Sequence, residues 1–153
     1  MYAISDISSV KNEIDWWYSM DSDDSIQSDP SELKTVMIVE DDAGIGNFLV
    51  QAIQQETPYQ AVLATDGFQA LKMLHTLKPD LLILDYSLPG MNGLEVYDQV
   101  HANKELEHIP VLIITAETLR VQKEVKARQI SLLQKPFDLS ELLAAIDQLF
   151  APS

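Results

Sequence analysis

The sequence predicts an α/β protein of three layers: a doubly wound, five-stranded parallel sheet with helices on both faces. Three observations predict it. Short apolar runs alternate with helical patterns five times between Lys34 and Phe150, and strands alternating with helices pair in parallel through right-handed crossovers. The run Leu81-Leu82-Ile83-Leu84 is apolar without interruption, as expected of a central strand buried on both faces. Acidic and hydroxyl residues stand at the carboxyl ends of these runs, the edge where open α/β sheets bind ligands.

In chain order, Val36-Met37-Ile38-Val39 forms a short β-branched-rich strand that ends at Glu40-Asp41-Asp42. A helical pattern follows, with Ile45, Phe48, Leu49, Ala52 and Ile53 on one face and a stop before Pro58. Asp42 suits the cap of that helix, where an anion complements the N-terminal dipole. Tyr59–Ala64 is the second strand. Thr65-Asp66 caps a helix to about Leu77, with Phe68, Leu71 and Leu74 inward. Leu81–Asp85 is the third strand, closed by the turn signal Pro89-Gly90, and Leu94–His101 the third helix. Ile109–Thr115 is again solidly apolar, and a mostly polar helix runs from about Thr118 to Arg128. Ile130–Gln134 is the fifth strand. Asp138 caps the closing helix Leu139–Phe150, whose apolar stripe is Leu142, Leu143, Ile146 and Leu149.

Composition narrows the function. With 46% hydrophobic and 22% charged residues the chain is globular. It has no cysteine, so disulfides and thiolate metal sites are excluded and a cytoplasmic setting is expected. No apolar run approaches the ~20 residues needed to span a bilayer, and no signal-peptide pattern opens the chain. A formal net charge of −14 argues against sequence-independent binding to nucleic acid or to an anionic membrane. Protein partners and a cation are left as ligands.

Four strand ends carry chemistry: Glu40-Asp41-Asp42, Asp85, Thr115 and Lys135. Carboxylates crowded at one edge raise each other's pKa, and a hard divalent cation relieves the repulsion. Mg²⁺ suits few carboxylates, a backbone oxygen and retained waters. A cation, a lysine and a hydroxyl around one aspartate would stabilise phosphoryl oxygens in transfer, with Asp85 as the nucleophile. His75, His101 and His108 have no ligand spacing and are expected at the surface.

The motifs VMIVEDD, LLILDYSLPGMNG, VLIITA and LLQKPF, in this order, make residues 34–151 resemble a receiver domain of two-component response regulators. The resemblance implies a flavodoxin-like receiver fold and a phosphoacceptor at Asp85. It implies metal binding by Glu40, Asp41, Asp85 and the backbone carbonyl of Ser87, with Asp41 the direct ligand and Glu40 acting more through water. Thr115 then follows the phosphoryl group, Lys135 pairs with it, and the Lys135-Pro136 bond is cis. Further implications are Mg²⁺ as cofactor, a histidine kinase or histidine phosphotransfer protein as partner, an unknown protein target, and no enzymatic activity beyond self-catalysed chemistry at Asp85. With only Ala151-Pro152-Ser153 after Phe150, a stand-alone receiver is expected.

Rival readings fit less well. Gly44-x-Gly46 begins a dinucleotide fingerprint, but Leu49 stands where its third glycine belongs and three acids would repel a pyrophosphate. A phosphatase of the haloacid dehalogenase type would want an aspartate at Ser87. The remaining rival is a receiver-like interaction module that does not use phosphorylation. Two features depart from the family: Leu132 occupies the place of an aromatic switch residue, and the Thr115–Lys135 segment is about two residues short. Both put the usual switching mechanism, rather than phosphorylation, in question.

Residues 1–33 carry eight acids and one base and are expected to form an acidic extension. Met20–Glu32 has the composition of a solvated linker. Ile4, Ile7, Val10, Ile14, Trp17 and Tyr18 share one helical stripe, so a disordered tail and a short amphipathic helix over about Ile4–Tyr18 both stay open.

Overall fold

A computed structural model describes residues 33–117 and 119–151. The expectations for the segment before Leu33 lie outside the described residues. Ten elements follow one another: β1 (Thr35–Val39), α1 (Ala43–Glu56), β2 (Gln60–Ala64), α2 (Gly67–Met73), β3 (Leu81–Asp85), α3 (Gly93–His101), β4 (Val111–Thr115), α4 (Leu119–Ala127), β5 (Ser131–Gln134) and α5 (Leu139–Phe150). The strands pair in parallel in the order β2-β1-β3-β4-β5. Connections from β1 leave in one direction and those from β3 in the other, so the switch point lies between these two strands.

Alternation of side chains divides the strands between two cores. Met37, Val39, Leu82, Leu84 and Ile113 face α2, α3 and α4, and pack with Ala70, Leu74, Val96, Val100, Val121 and Val125. Val36, Ile38, Leu81, Ile83, Leu112 and Ile114 face α1 and α5, and pack with Leu49, Ile53, Leu142 and Ile146. A strand with both faces covered has no solvent side, which is why these runs are unbroken by polar residues.

Asp42, Asp66, Asn92 and Asp138 cap their helices, each accepting a backbone N–H three residues on. At Asn92 and Asp138 the glutamate at the third helical position returns a bond to the cap.

Several expectations need correction. On α1 the buried residues are Gly46, Leu49, Ala52 and Ile53, whereas Ile45 and Phe48 are 45% and 61% exposed. Gly46 is the cause: a Cβ there would lie 2.6 Å from a Leu63 methyl of β2, so the helix presses on the sheet at Gly46 and its stripe turns away from Ile45. Phe68 is 59% exposed rather than inward, because Gly67 and Ala70 make the close contact of α2 and the Phe68 ring lies over Gly90. α2 also ends at Met73, not near Leu77. Its last bonds tighten, His75 to Lys72 and Thr76 to Met73, before Pro79 forbids a helix. β4 begins after Pro110, which has no N–H to donate. β5 begins after Ile130, whose N–H is taken by the carbonyl of Val125.

At the amino edge of the sheet, the Tyr59 and Phe150 rings meet edge to face at 4.7 Å, with the Lys34 ammonium 5.5 Å above the Phe150 ring. No helix among the described residues is long and apolar enough to cross a membrane.

Among the glycines, Gly93 lies tightest against backbone: a Cβ there would be 2.5 Å from the carbonyl oxygen of Asp85 and 3.0 Å from Cα of Tyr86. Neither atom can swing aside. Gly93→Ala is therefore expected to lower stability by about 1–3 kcal/mol, the cost of overpacking. An unshifted urea midpoint would refute this.

Candidate functional site

The site is built from the carboxyl ends of β1, β3, β4 and β5. Glu40 follows β1 directly and is fixed there by its N–H, which donates to the carbonyl of Ala64 at 3.0 Å. Its side chain turns inward, 4% exposed, and one carboxylate oxygen accepts the Asp42 N–H at 3.1 Å. Asp41 stays exposed beside it. Asp85 closes β3 and is 5% exposed, and its Oδ1 accepts the Ser87 N–H at 3.0 Å. Carboxylate oxygens of Glu40, Asp41 and Asp85 lie within 4.8 Å of one another.

Lys135 supplies the countercharge. Its Nζ donates to Asp85 Oδ2 at 3.0 Å and lies 3.8 Å from Glu40 Oε1. Its N–H donates to the carbonyl of Thr115 at 2.9 Å, which anchors the lysine to the neighbouring strand end. The following peptide bond, Lys135-Pro136, is cis. Thr115 is 1% exposed, and its hydroxyl oxygen accepts the Glu117 N–H at 2.8 Å. One of that oxygen's two lone pairs is thus engaged, and its proton remains to be donated.

Burial acts in opposite directions on the two charge types. It raises the Glu40 carboxyl first of all; the Asp42 N–H and Lys135 pull it down, Asp85 pushes it up, and the result is about 7. Burial would lower Lys135, but its hydrogen bond to Asp85 and the charges of Asp85, Glu40 and Asp41 outweigh this and raise it. Three carboxylates thus face one ammonium at close range. A hard cation with oxygen ligands fits this donor set, since it would neutralise the excess charge. Ser87 brings a backbone carbonyl to the same loop, and no backbone N–H among the described residues donates to it.

The structure therefore brings together Glu40, Asp41, Asp85 and Lys135, and places Thr115 on the strand next to Asp85, in line with its neighbour Ile114. Asp42 is the helix cap and is not among the clustered carboxylates. The three histidines are exposed and join no metal-binding cluster of the described residues. Leu132 is half-buried and packs into the core under α2, α3 and α4. Two features escaped the sequence reading. Ile45, Ala116, Lys135, Pro136 and Phe137 line an apolar hollow of about 450 Å³ beside the cluster; an apolar residue at the third helical position, Ile45, was its only signal. Tyr86 packs into the core under α2, α3 and α4 directly after Asp85, and its place next to the acidic strand end was the clue.

Such a fold and site define a doubly wound α/β domain with an acid-and-lysine cluster at its switch point. The chain belongs to the response regulator receiver domain family, whose model matches residues 36–147. It is 32% identical over 117 residues to chemotaxis protein CheY of Pseudomonas aeruginosa, covering 75% of this chain and 94% of that protein. It is 36% identical over 124 residues to sensor histidine kinase TmoS of Ectopseudomonas mendocina, which is 79% of this chain but 12% of the kinase. The structure of Vibrio cholerae chemotaxis protein CheY4 superposes with a TM-score of 0.71 at 28% identity, over 77% of this chain and 99% of that one. It is thus a receiver domain of two-component signalling.

The raised carboxyl of Glu40 sets a pH dependence. Its folded pKa of about 7 lies above the ordinary 4.5 of the unfolded chain, so between these values the folded state holds the extra proton. Stability from this group is lost as pH rises through 7. In EDTA, the melting temperature is expected to be higher at pH 6 than at pH 8, and Glu40→Gln should shrink that difference. An equal pH dependence in the variant would contradict the burial of an ionisable Glu40.

Proposed function

We propose that this protein is a phosphoacceptor switch, in which Asp85 takes a phosphoryl group from the phosphohistidine of a histidine kinase or a histidine phosphotransfer protein. The observation that carries the reading is the Lys135 ammonium 3.0 Å from Asp85 Oδ2 within a three-carboxylate cluster. Among the described residues at this sheet edge, Asp85 is the carboxylate hydrogen-bonded to an ammonium.

In the transfer, a carboxylate oxygen of Asp85 attacks phosphorus as the bond from phosphorus to imidazole nitrogen breaks. The imidazole, protonated on its other nitrogen, leaves neutral, and an aspartyl phosphate remains. Lys135 holds one phosphoryl oxygen by charge, and Thr115, its oxygen already bonded by the Glu117 N–H, donates its proton to another. Glu40, Asp41, Asp85 and the Ser87 carbonyl would hold Mg²⁺, which when bound neutralises charge on the phosphoryl oxygens. The chemistry is self-catalysed in both directions of phosphoryl loss and gain, so the protein serves as a switch rather than an enzyme.

The donor approaches the carboxyl edge of the sheet, where the hollow beside Lys135 offers apolar surface. Output passes through protein contact to a target protein. The absence of cysteine and the chemotaxis and kinase relatives support a cytoplasmic place for this exchange.

Acetyl phosphate with Mg²⁺ should label the chain once, at Asp85, and Asp85→Asn should abolish labelling. Label persisting in that variant would remove Asp85 as acceptor, and a wild type without label would favour the phosphorylation-independent module. Mg²⁺ binding is expected to vanish in Asp41→Ala and largely survive in Asp42→Ala, as followed by titration calorimetry. Equal losses would move the metal ligand to the wrong member of the pair.

A further inference from the structure

The loop between β3 and α3 runs from Tyr86 to Asn92 and carries the Ser87 carbonyl. Its start is anchored twice. The Ser87 N–H donates to Asp85 Oδ1 at 3.0 Å, and the Leu88 side chain is buried in the core under α2, α3 and α4. Its end is held by the Asn92 cap of α3 and by the Gly93 N–H, which donates to the Tyr86 carbonyl at 2.9 Å. Between these anchors the backbone bonds are local: the Leu88 N–H to the Tyr86 carbonyl at 3.1 Å, and the Met91 N–H to the Pro89 carbonyl at 2.8 Å. Pro89 and Gly90 are exposed, and Pro89 has no N–H to donate.

The tip of this loop meets α2. Phe68 is the second residue of that helix and is 59% exposed, yet the edge of its ring lies on Gly90. A Cβ at Gly90 would stand 3.0 Å from Cε2 of the ring, and 3.8 and 4.0 Å from Cζ and Cδ2. Gly90 has a φ of 77°, a left-handed conformation natural to glycine, so the turn and the ring both call for a residue without a side chain. The helix start that carries Phe68 is itself fixed. Asp66 accepts the Gln69 N–H at 2.7 Å, and the Gln69 side-chain oxygen accepts the Thr65 N–H at 2.6 Å. A Cβ at Gly67 would lie 2.7 Å from a Val96 methyl and 3.4 Å from the Met91 carbonyl oxygen, so α2 is pressed against α3 and the loop together. The ring thus rests on the loop from a firm base.

We propose that Phe68 is a positioning residue for the cation: its ring clamps the Pro89-Gly90 tip to α2 and thereby holds the Ser87 carbonyl in place as a ligand. This role rests on the metal-binding reading given above. Mg²⁺ demands near-octahedral geometry and tolerates little displacement of an oxygen, whereas Ca²⁺ accepts flexible geometry. A carbonyl on a moving loop must be ordered as the ion binds, and that ordering subtracts from affinity. A ring laid on the tip removes part of that cost beforehand. The clamp therefore acts on Mg²⁺ more than on Ca²⁺, a difference that mere support of the fold would not produce.

The test is titration calorimetry of the full chain with Mg²⁺ and with Ca²⁺, in wild type, Phe68→Ala, Phe68→Tyr and Phe48→Ala. Phe68→Ala should weaken Mg²⁺ binding roughly fivefold, less than the about tenfold or more that follows loss of a residue bonded to a metal ligand. Ca²⁺ binding should weaken by less than about twofold. Phe68→Tyr keeps the ring and should bind both ions as wild type does. Phe48, on α1, is a phenylalanine of similar exposure at 61%, and its loss should change neither affinity. Hydrogen exchange without any ion reads the clamp by itself: amides over residues 88–92 should exchange faster in Phe68→Ala than in wild type. Exchange or Mg²⁺ affinity equal to wild type in Phe68→Ala overturns the clamp. So does an equal loss for both ions, or the same loss in Phe48→Ala. A wild type that binds no Mg²⁺ while the Phe68→Ala loop still exchanges faster overturns the metal reading, and the part of Phe68 in it.

Discussion

Lys135 holds together groups that would otherwise repel one another. Glu40 and Asp85 are nearly excluded from water, and like charges at that distance cannot both ionise freely without a partner. The ammonium answers Asp85 directly and Glu40 at longer range, and backbone N–H groups of Asp42 and Ser87 take one carboxylate oxygen each. Removing a buried pair's partner costs about 3–5 kcal/mol; Lys135 is itself one-third exposed, so the lower end applies. The remaining excess of negative charge makes this edge receptive to cations and to the positive end of a transferring group. Unfinished neutralisation is thus what makes the cluster fit a cation.

The two faces of the sheet are not held alike. α1 and α5 lie over the strands through large aliphatic contacts, Ile53 and Ile146 among them, and Gly46 brings α1 in close. On the other face α4 contributes two valines, and a polar tie from Arg128 to Asp98 of α3 holds its far end. Regions with few buried apolar contacts open most readily. The helix that follows Thr115 in sequence is therefore held by few buried side chains, a pairing that suits a signalling domain.

The three inner strands, β1, β3 and β4, were legible because they are apolar on both faces, and the site was legible because its residues end the strands. Asp85, Glu40 and Lys135 needed no tertiary information once the parallel order was inferred, since the order alone brings their strand ends to one edge. What failed was the fine orientation of helices. Ile45, Phe48 and Phe68 fit an apolar stripe by spacing, but Gly46 decides which side of α1 can approach the sheet and Gly67 which side of α2 can approach Val96 of α3. A glycine contributes nothing to a hydrophobic pattern and everything to close approach. The end of α2 was similarly blurred, because the tightening of its last turn is a matter of bond geometry and not of residue type. Tyr86 was overlooked for a different reason: its packing against the core under α2, α3 and α4 joins residues remote in sequence.

The aromatic contact at the amino edge has a topological consequence. Lys34 stands over the ring of Phe150, so the strand that opens the sheet starts where the last helix finishes. A handful of residues could join these two points and close the domain into a ring, which could then be cut open in a surface turn elsewhere. The seam would lie at the opposite edge from Asp85, roughly 16 Å away along a five-residue strand. Rearranged in this way, the polypeptide would keep every strand-end group in its place while moving both of its free ends to a new point on the surface.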